Sequence, residues 1–364
     1  MTARPPARGA DVVFVSHEAT LTGAPVGLVQ LLGWLREHTD LRVEVVLVTG
    51  GPLADAFADV ATVRTVAEVL EGPLPRVLFL NSSFSAEVLL ESEWPGSHVI
   101  ARVPELEVAF DQALAPAARR ALLERADRFV AVAERVRRHL VEGHGVAPDR
   151  IAVVHGCLPA EPRAPAVEAV AAARAEAGIP PGAPVVGAVG SRSWRKGADL
   201  FLELAATVCR RPGSKAHFLW LGSDDGSWQF GRFGDDVRRA GLSARVHLLD
   251  DHADPVPFQA LMDVFALTSR EDPFPRVALE AAALSRPVVA FDSGGVGELL
   301  VHADLAPVAY GDVPAMATRV EGWLADPDRA AGVGGRLAAA VRAHHTLAVG
   351  GPKMLAEIRR GLAA

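Results

Sequence analysis

Short apolar runs rich in Val, Ile and Phe alternate with longer helical segments along most of this chain, and the alternation strongly constrains the fold. DVVFVS (11–16) and RVLFLN (76–81) are typical of the runs, and a helix-compatible stretch follows each. This order is typical of parallel βαβ units. Most runs are apolar at every position, as expected for a sheet covered by helices on both sides. The sequence therefore predicts an α/β fold of doubly wound parallel sheets.

Twelve such runs predict twelve strands. They occupy residues 11–16, 41–48, 76–81, 98–103, 128–133 and 150–155 in the first half, and 184–191, 216–223, 244–249, 263–269, 286–293 and 304–310 in the second. Helices are predicted over residues 25–37, 85–92, 114–126 and 134–143. The tail from 312 to 364 is predicted to be helical, with breaks near Pro327 and at Gly350 and Gly351.

A Pro- and Ala-rich segment interrupts the alternation once, and 364 residues are enough for two separate cores. We predict a Rossmann-like domain over residues 1–160, an interdomain linker over 161–183 and a second Rossmann-like domain over 184–345. Residues 346–364 are predicted to form a C-terminal helix that packs back on the first domain. The two sheets are expected to face a central cleft.

Composition narrows the class of protein. A net charge of −7 and a pI near 6.0 argue against a nucleic-acid-binding protein. Cys157 and Cys209 are the two cysteines, and their spacing predicts neither a disulfide framework nor a metal site. The apolar run at residues 12–15 is too short for a signal peptide, so a cytoplasmic protein is expected. Clustered arginines suggest membrane-surface contact, but acidic neighbours favour a solvated helix face: Arg119, Arg120, Arg125, Arg128, Arg135, Arg137 and Arg138.

In doubly wound sheets, ligands bind beyond the carboxyl ends of the strands, so the loops there are the places to search. The first strand is followed by SHEATLTGAPVGL (16–28), in which Gly23 allows close approach and Pro25 suits the first helical turn. His17 and Glu18 are titratable residues at the same strand end. A well-capped turn with solvated side chains is the alternative interpretation.

The first strand of the second half is followed by GSRSWRKGADLFLELA (190–205). Arg192, Arg195 and Lys196 cluster after Gly190, and a helix begins close behind them. Fixed cations beside a helix N-terminus suit a diphosphate. Lys196 is also one of only three lysines, which favours this interpretation over a solvated basic loop. Neither G-x-G-x-x-G nor G-x-x-x-x-G-K-[ST] occurs, which argues against a nicotinamide enzyme and a P-loop.

A third loop lies within SREDPFPRVALEAAALSRPVVAFDSGGVGELL (269–300). Pro275 suits a helix start, which leaves Asp272 outside the helix and directs the amides of Arg276 and Val277 towards a phosphate. Glu280 is the only charge in VALEAAAL, so we predict that it is largely buried and bound by ribose hydroxyls. An ion pair with Arg276 is the alternative. A second glycine turn, Gly294 and Gly295, is adjacent if the strands are neighbours.

These segments together resemble the retaining glycosyltransferases of family 4, which have the GT-B fold. The resemblance rests on REDPFPRVALEAAALSRPVVA with the following GGVGEL, and its two acids, Asp272 and Glu280, match the E-x7-E signature. Five further segments support the resemblance: WRKGADLF, FLWLGS, the TGAP loop, RADRFVAVAERVRRHL and DRIAVVHGCLP. The resemblance covers nearly the whole chain and implies transfer of a sugar from a nucleotide-diphosphate sugar, UDP first and GDP second, to an unidentified acceptor hydroxyl.

The resemblance also implies roles for residues. Asp272 would hold donor-sugar hydroxyls, Glu280 the ribose, and Lys196 with Arg192 or Arg195 the diphosphate, in place of a metal and without a cofactor. The other implied donor-binding residues are Gly23, Gly190, Phe274, Pro275, Arg276, Val277, Gly294 and Gly295. His17, Glu18 and Glu105 are candidates on the acceptor side.

The chain departs from the family pattern at three positions. Asp272 stands where Glu is common, Ser191 where Arg is usual, and Pro104 where many relatives have His. A noncatalytic sugar-nucleotide-binding protein or partner subunit is therefore the alternative function. A pyridoxal-phosphate phosphorylase on the same fold is disfavoured because Lys215 and Lys353 do not lie in convincing cofactor loops.

Overall fold

A computed structural model describes residues 9–159, 164–224, 226 and 232–364. The chain divides into two compact units: the first comprises Met1–Pro159 and Leu347–Ala364, and the second Ala160–Thr346. The predicted linker lies inside the second unit. There α7, Val167–Glu176, packs against α10, Val256–Leu261, while residues 160–163 lie outside the described part.

The first unit is built on a seven-stranded parallel sheet in the order β3-β2-β1-β4-β5-β6-β7. Its strands are β1 Val12–Ser16, β2 Val43–Leu47, β3 Thr62–Arg64, β4 Val77–Leu80, β5 His98–Val103, β6 Arg128–Ala131 and β7 Ile151–Val153. Its α-helices are α1 Gly23–His38, α2 Ala54–Val60, α3 Val66–Leu70, α4 Val88–Glu91, α5 Pro116–Arg125, α6 Glu134–His144 and the C-terminal α15 Leu347–Ala363. Two 3₁₀ turns, Ser83–Glu87 and Pro148–Arg150, and a π-helix, Val108–Ala113, complete the described elements.

The second unit has a five-stranded parallel sheet in the order β10-β9-β8-β11-β12. Its strands are β8 Val185–Val189, β9 His217–Leu221, β10 Val246–Leu249, β11 Val264–Leu267 and β12 Val288–Ala290. Besides α7 and α10, its helices are α8 Ala198–Cys209, α9 Phe233–Arg239, α11 Arg276–Ala283, α12 Val296–Leu300, α13 Val313–Ala325 and α14 Pro327–His344, with a 3₁₀ turn at Val301–Ala303. The fold predicted from the alternation, parallel α/β sheets, is confirmed.

Burial of the central strands explains why the sequence reveals them. Every residue of β1, β4, β9, β11 and β12 is buried, and all except Ser16 and His217 are apolar, so these strands stand out as apolar runs. The edge strand β3 was missed because all three of its residues are exposed and it has no apolar run. The strand predicted at 304–310 is wrong. Only an isolated bridge between Val308 and Phe291 forms there, since Pro307 and a left-handed Asp304 interrupt the backbone.

The predicted helix break at Gly350 and Gly351 is also wrong, because α15 runs through both residues. An added Cβ would meet the Cys157 sulfur at 2.2 Å from Gly350 and the Trp34 ring at 2.7 Å from Gly351. These glycines therefore permit close packing rather than ending a helix. The break at Pro327 is confirmed, since α14 begins there. Within the described ranges, no helix is both long and apolar enough to span a membrane.

Candidate functional site

The lysine and the aspartate predicted to flank a donor form a short ion pair at the strand ends of the second unit. Lys196 Nζ lies 2.5 Å from Asp272 Oδ2, and the two side chains are 16% and 8% exposed. Burial lowers the pKa of the Lys196 ammonium from its ordinary value, although Asp272 acts in the opposite direction. A buried ammonium with a single carboxylate partner retains donors for an anionic ligand.

A glycine with positive φ brings Lys196 to this position. Gly197 has a φ of +69°, and a Cβ there would lie 2.0 Å from the Thr268 carbonyl oxygen. The Thr268 hydroxyl donates to the Gly197 carbonyl at 2.9 Å. The loop after β8 is therefore fixed against the end of β11, and only glycine fits at the contact.

A second tight backbone contact holds Asp272. An isolated parallel bridge joins Asp272 to Gly294, where an added Cβ would lie 1.7 Å from the Asp272 carbonyl oxygen. The Gly295 amide donates to the carbonyls of Asp272 and Pro273 at 3.3 and 2.9 Å. The predicted adjacency of the two loops is thus confirmed, and it follows from the pairing of β11 with β12.

Helix α11 begins one residue after Pro275, which occupies the cap position with a ψ of 108°. The Ala278 amide donates to the Pro275 carbonyl at 3.1 Å, so the amides of Arg276 and Val277 precede the first helical hydrogen bond. Phe274 packs beside His345, with ring centroids 5.2 Å apart.

Glu280 has the partner that the alternative interpretation named. Arg276 Nε lies 2.8 Å from Glu280 Oε1, and the Gln259 side-chain amide donates to Oε2 at 3.2 Å. The Glu280 side chain is 22% exposed, so it is half-buried rather than largely buried as predicted. The reason is its position on a face of α11 that also carries Arg276, one turn earlier. Its role with ribose stays a prediction.

The three predicted cations differ in their surroundings. The Arg192 guanidinium is buried, donates to the Gly222 and Leu249 carbonyls and pairs with Asp250 at 2.7 Å. Arg195 is exposed and donates to the Glu271 carbonyl at 3.2 Å. In this structure, therefore, Arg192 joins the ends of β8, β9 and β10, and the pair with Asp272 belongs to Lys196.

Sequence reasoning missed one ion pair that supports the lysine loop. Arg270 binds both carboxylate oxygens of Asp199 at 2.7 Å and donates to the Trp194 carbonyl at 2.8 Å. Its guanidinium also lies 5.3 Å from the Trp194 ring centre. Hydrogen bonding to Asp199 raises the pKa of Arg270, so this clamp on the loop keeps its charge.

In the first unit, the predicted His17 and Glu18 come together with hydroxyl groups. His17 Nδ1 lies 2.7 Å from the Ser82 hydroxyl, and His17 Nε2 lies 3.4 Å from Glu18 Oε1. The Thr22 hydroxyl donates to the same Glu18 oxygen at 2.9 Å. Burial lowers the pKa of His17, with Glu18 opposing the shift. A neutral imidazole between a hydroxyl and a carboxylate can accept or pass on a proton.

Glu105 lies in the loop that follows β5 in the same unit. Its carboxylate accepts from the Ser83 amide at 3.2 Å, and Glu105 is only 7% exposed. Arg102 donates to the Asn81 backbone and side-chain oxygens at 3.3 and 3.4 Å. Sequence reasoning did not single out Arg102 or Asn81, although a polar residue at the end of an apolar strand was a usable signal.

Gly23 is the first residue of α1, and a Cβ added there would meet nothing within 4 Å. Among the described residues, therefore, no neighbour requires glycine at this position. Several of the clustered arginines have partners within the fold: Arg119 and Arg125 donate to backbone carbonyls, Arg128 pairs with Glu357, and Arg137 pairs with Glu134. Membrane contact by this face stays untested.

The architecture defines the class of protein. A crystal structure of Anabaena HepE in complex with UDP-glucose superposes with a TM-score of 0.84 over 97% of this chain and 100% of that one, at 18% identity. Sucrose-phosphate synthase of Thermosynechococcus elongatus superposes with a TM-score of 0.77 over 97% and 99% of the two chains, at 20% identity. The chain has the GT-B fold.

A family model matches the sequence of the second unit. Residues 183–326 match the model described as glycosyl transferases group 1. A D-inositol 3-phosphate glycosyltransferase of Nocardia farcinica is 34% identical over 216 residues, which are 55% of this chain and 46% of that protein. A lipopolysaccharide core biosynthesis glycosyltransferase of Rhizobium meliloti is 33% identical over 183 residues, 49% and 48% of the two chains. The chain thus spans about half the length of the curated relatives that it matches.

Proposed function

We propose that this protein is a retaining glycosyltransferase that moves a sugar from a nucleotide-diphosphate sugar to an acceptor hydroxyl without a metal ion. The observation that carries the proposal is the buried Lys196–Asp272 pair, 2.5 Å between Nζ and Oδ2, beside the N-terminus of α11. A cation, a carboxylate and helix-terminal amides are the groups required by a diphosphate joined to a polyhydroxyl sugar.

Lys196 would act on the leaving group. When the bond between the anomeric carbon and the diphosphate oxygen breaks, negative charge grows on that oxygen, and a fixed cation stabilises it there. The low exposure of Lys196 strengthens this effect, because little water screens the charge. We assign the second cation to the exposed Arg195 rather than Arg192, whose partners are backbone carbonyls and Asp250.

Asp272 would exchange its lysine partner for donor-sugar hydroxyls when the diphosphate takes over Lys196. The amides of Arg276 and Val277, with the partial positive charge of the α11 N-terminus, would bind phosphate oxygens. Glu280 would accept from the ribose hydroxyls. Its contacts with Arg276 and Gln259 orient the carboxylate, and each of its oxygens has a second lone pair for a ligand.

The acceptor hydroxyl would form the new bond to the anomeric carbon on the face that the diphosphate leaves, and its proton would pass to the departing phosphate. His17, Glu18 and Glu105 are the proposed acceptor-side residues. A neutral His17, favoured by the lowered pKa, suits contact with a sugar or cyclitol hydroxyl. UDP is the favoured nucleotide, supported by the UDP-glucose complex of HepE.

The test is donor turnover by the full-length chain. UDP- and GDP-sugars are incubated with the protein, and release of the free nucleotide is measured without an acceptor and with an acceptor panel that includes inositol phosphate. Lys196→Ala should lose nearly all turnover. The matched control is Lys215→Ala, which removes an exposed lysine and should behave as wild type.

Three outcomes would contradict this assignment. Unchanged turnover in Lys196→Ala removes the assigned role of the lysine. Tight binding of nucleotide sugars without turnover, across all donors and acceptors, favours the noncatalytic alternative that Pro104 suggests. Dependence of turnover on added divalent metal contradicts the metal-free mechanism.

A further inference from the structure

Two histidines and an aspartate converge on one point of the first unit, apart from the residues assigned to sugar transfer. His139 Nε2 and His144 Nε2 are 3.3 Å apart, and the two Asp111 carboxylate oxygens lie 3.3 and 2.9 Å from them. Among the described residues, this is the one group of three in which every ligand-type atom lies within 4.8 Å of the others. We propose that Asp111, His139 and His144 form a Zn²⁺-binding site.

The distances match a tetrahedral ion. Zn²⁺ binds imidazole nitrogen at about 2.0–2.1 Å and carboxylate oxygen at about 2.0–2.2 Å, so neighbouring ligand atoms in a tetrahedron are about 3.3–3.5 Å apart. The two Nε2 atoms are 3.3 Å apart, Asp111 Oδ2 lies 3.3 Å from His139 Nε2, and Asp111 Oδ1 lies 2.9 Å from His144 Nε2. Two histidines and one carboxylate form a known zinc ligand set, and water would complete it.

Hydrogen bonding alone leaves a repulsive contact in this arrangement. If both imidazoles donate from Nε2 to Asp111, each to its own oxygen, the two N–H groups lie side by side with their nitrogens 3.3 Å apart. If one Nε2 accepts from the other instead, that ring loses its hydrogen bond to the carboxylate. A cation between the three atoms uses a lone pair from each and removes the conflict.

The surroundings fit a bound ion. Asp111 lies in the π-helix Val108–Ala113, a conformation frequent at functional sites. His144 is the last residue of α6, where the helix dipole favours a cation. The Phe110 ring packs against both imidazoles, with centroids 5.8 and 5.0 Å away. The side chains of His139 and His144 are only 8% and 15% exposed, which limits competition from water.

The charges nearby have both signs. Arg119 Nη1 lies 3.8 Å from Asp111 Oδ1 and opposes a cation, although its other bonds go to the Phe110 and Asp111 carbonyls. His139 also lines a cleft of about 480 Å³ that contains Glu107, Arg135, Arg138 and Glu142, two acids and two arginines. The net charge of these groups therefore does not exclude Zn²⁺, and the cleft gives the ion a way in.

The site has a structural consequence for the first unit. The π-helix with Asp111 lies in the connection from β5 to α5, whereas both histidines are on α6. A metal bound by all three would therefore hold this connection, which also contains Glu105, against α6. Sequence reasoning predicted no metal site because it considered cysteine spacing. Asp111 is distant in sequence from His139 and His144, and only the fold brings them together.

The experiment uses untagged, chelator-treated full-length protein and titrates it with Zn²⁺ by calorimetry. Co²⁺ serves as a spectroscopic probe, because tetrahedral cobalt absorbs strongly in the visible range. The expected result is one tight site per chain with a tetrahedral cobalt spectrum. Asp111→Asn and His144→Gln should each weaken Zn²⁺ binding by at least about tenfold, and usually more, since even supporting residues of metal sites contribute that much.

The matched control comes from the second unit, where His217 Nδ1 and His247 Nε2 are 2.9 Å apart. His247→Gln should leave both the affinity and the cobalt spectrum unchanged. Circular dichroism establishes that each variant is folded. The proposal is overturned if wild type binds no Zn²⁺ above the level of exposed histidines, if the Asp111 and His144 variants bind as well as wild type, or if His247→Gln abolishes binding.

Discussion

Gly197 is the residue on which the position of Lys196 most depends. Replacement by alanine adds a methyl group 2.0 Å from the Thr268 carbonyl and forces an L-residue into a left-handed conformation at φ +69°. The left-handed backbone alone costs roughly 1–2 kcal/mol. The carbonyl belongs to the end of β11, so the clash must be relieved by moving the lysine loop.

We expect Gly197→Ala to lower the thermal unfolding midpoint of the protein and to reduce donor turnover more than its stability loss explains. Gly213→Ala is the control, because Gly213 also has positive φ, +81°, but nothing lies within 4 Å of an added Cβ. The difference between the two variants measures the contact with Thr268. Equal effects on midpoint and turnover would mean that the contact does not position Lys196.

Glu280 has two interpretations, a ribose ligand and an ion-pair partner for Arg276, and one substitution separates them. Glu280→Gln should weaken UDP binding by about tenfold or more, since hydrogen bonds to a charged group contribute about 1.5–3 kcal/mol. Binding of inorganic pyrophosphate, which lacks ribose, should change little. Equal losses for UDP and pyrophosphate in calorimetry would show that Glu280 acts only through Arg276.

At the scale of elements, α15 is tied to the first sheet by a mostly buried ion pair. Arg128 Nε lies 2.6 Å from Glu357 Oε2, and the two side chains are 14% and 9% exposed. Without the carboxylate, the guanidinium keeps its hydrogen bond to the Asp149 carbonyl at 3.1 Å but loses this ion pair. Breaking such a pair typically costs about 3–5 kcal/mol.

Glu357→Ala should therefore release α15, and hydrogen exchange of the α15 amides measures the effect directly. Protection should fall along α15 and at the neighbouring β5, while the second unit keeps its protection. Glu124→Ala, at an exposed position of α5, is the control and should change neither. Full protection of α15 in Glu357→Ala would show that apolar packing alone holds the helix.

The neighbouring strands β9 and β10 carry a histidine pair that makes the second unit sensitive to acid. Burial, with the nearby His247, Arg245 and Arg174, lowers the pKa of His217 to about 4. In the unfolded chain the imidazole has a pKa near 6.5, so at a pH between about 4 and 6.5 the protein takes up a proton when it unfolds. Stability is therefore full above about pH 6.5 and falls as the pH decreases towards 4.

Urea unfolding of wild type and His217→Gln at pH 7 and pH 5 checks this linkage. The midpoint of wild type should drop more between the two pH values than the midpoint of the variant. An equal drop in both proteins would mean that other groups cause the acid sensitivity.

At the scale of the whole molecule, the sequence predicts the buried strands but not the contacts between segments that are distant in sequence, and the two cases have different physical reasons. Buried strands such as β4 and β11 are apolar throughout, so their sequence reveals them, and the loops after them contain site residues. Other features are contacts between segments that are distant in sequence. They include the partners of Arg192, the bridge from Asp272 to Gly294 and the Asp111–His139–His144 cluster. No local pattern encodes such contacts, and β3 was missed because an exposed edge strand needs no apolar run.

The most direct test of the proposed function compares the affinities of UDP and UMP for wild type, Lys196→Ala and Lys215→Ala by calorimetry. If the buried lysine binds the diphosphate, wild type and Lys215→Ala should prefer UDP to UMP by at least about tenfold, the effect of one charge-assisted contact. Lys196→Ala should lose most of that preference while it still binds UMP. An equal preference for UDP in all three proteins would contradict the account.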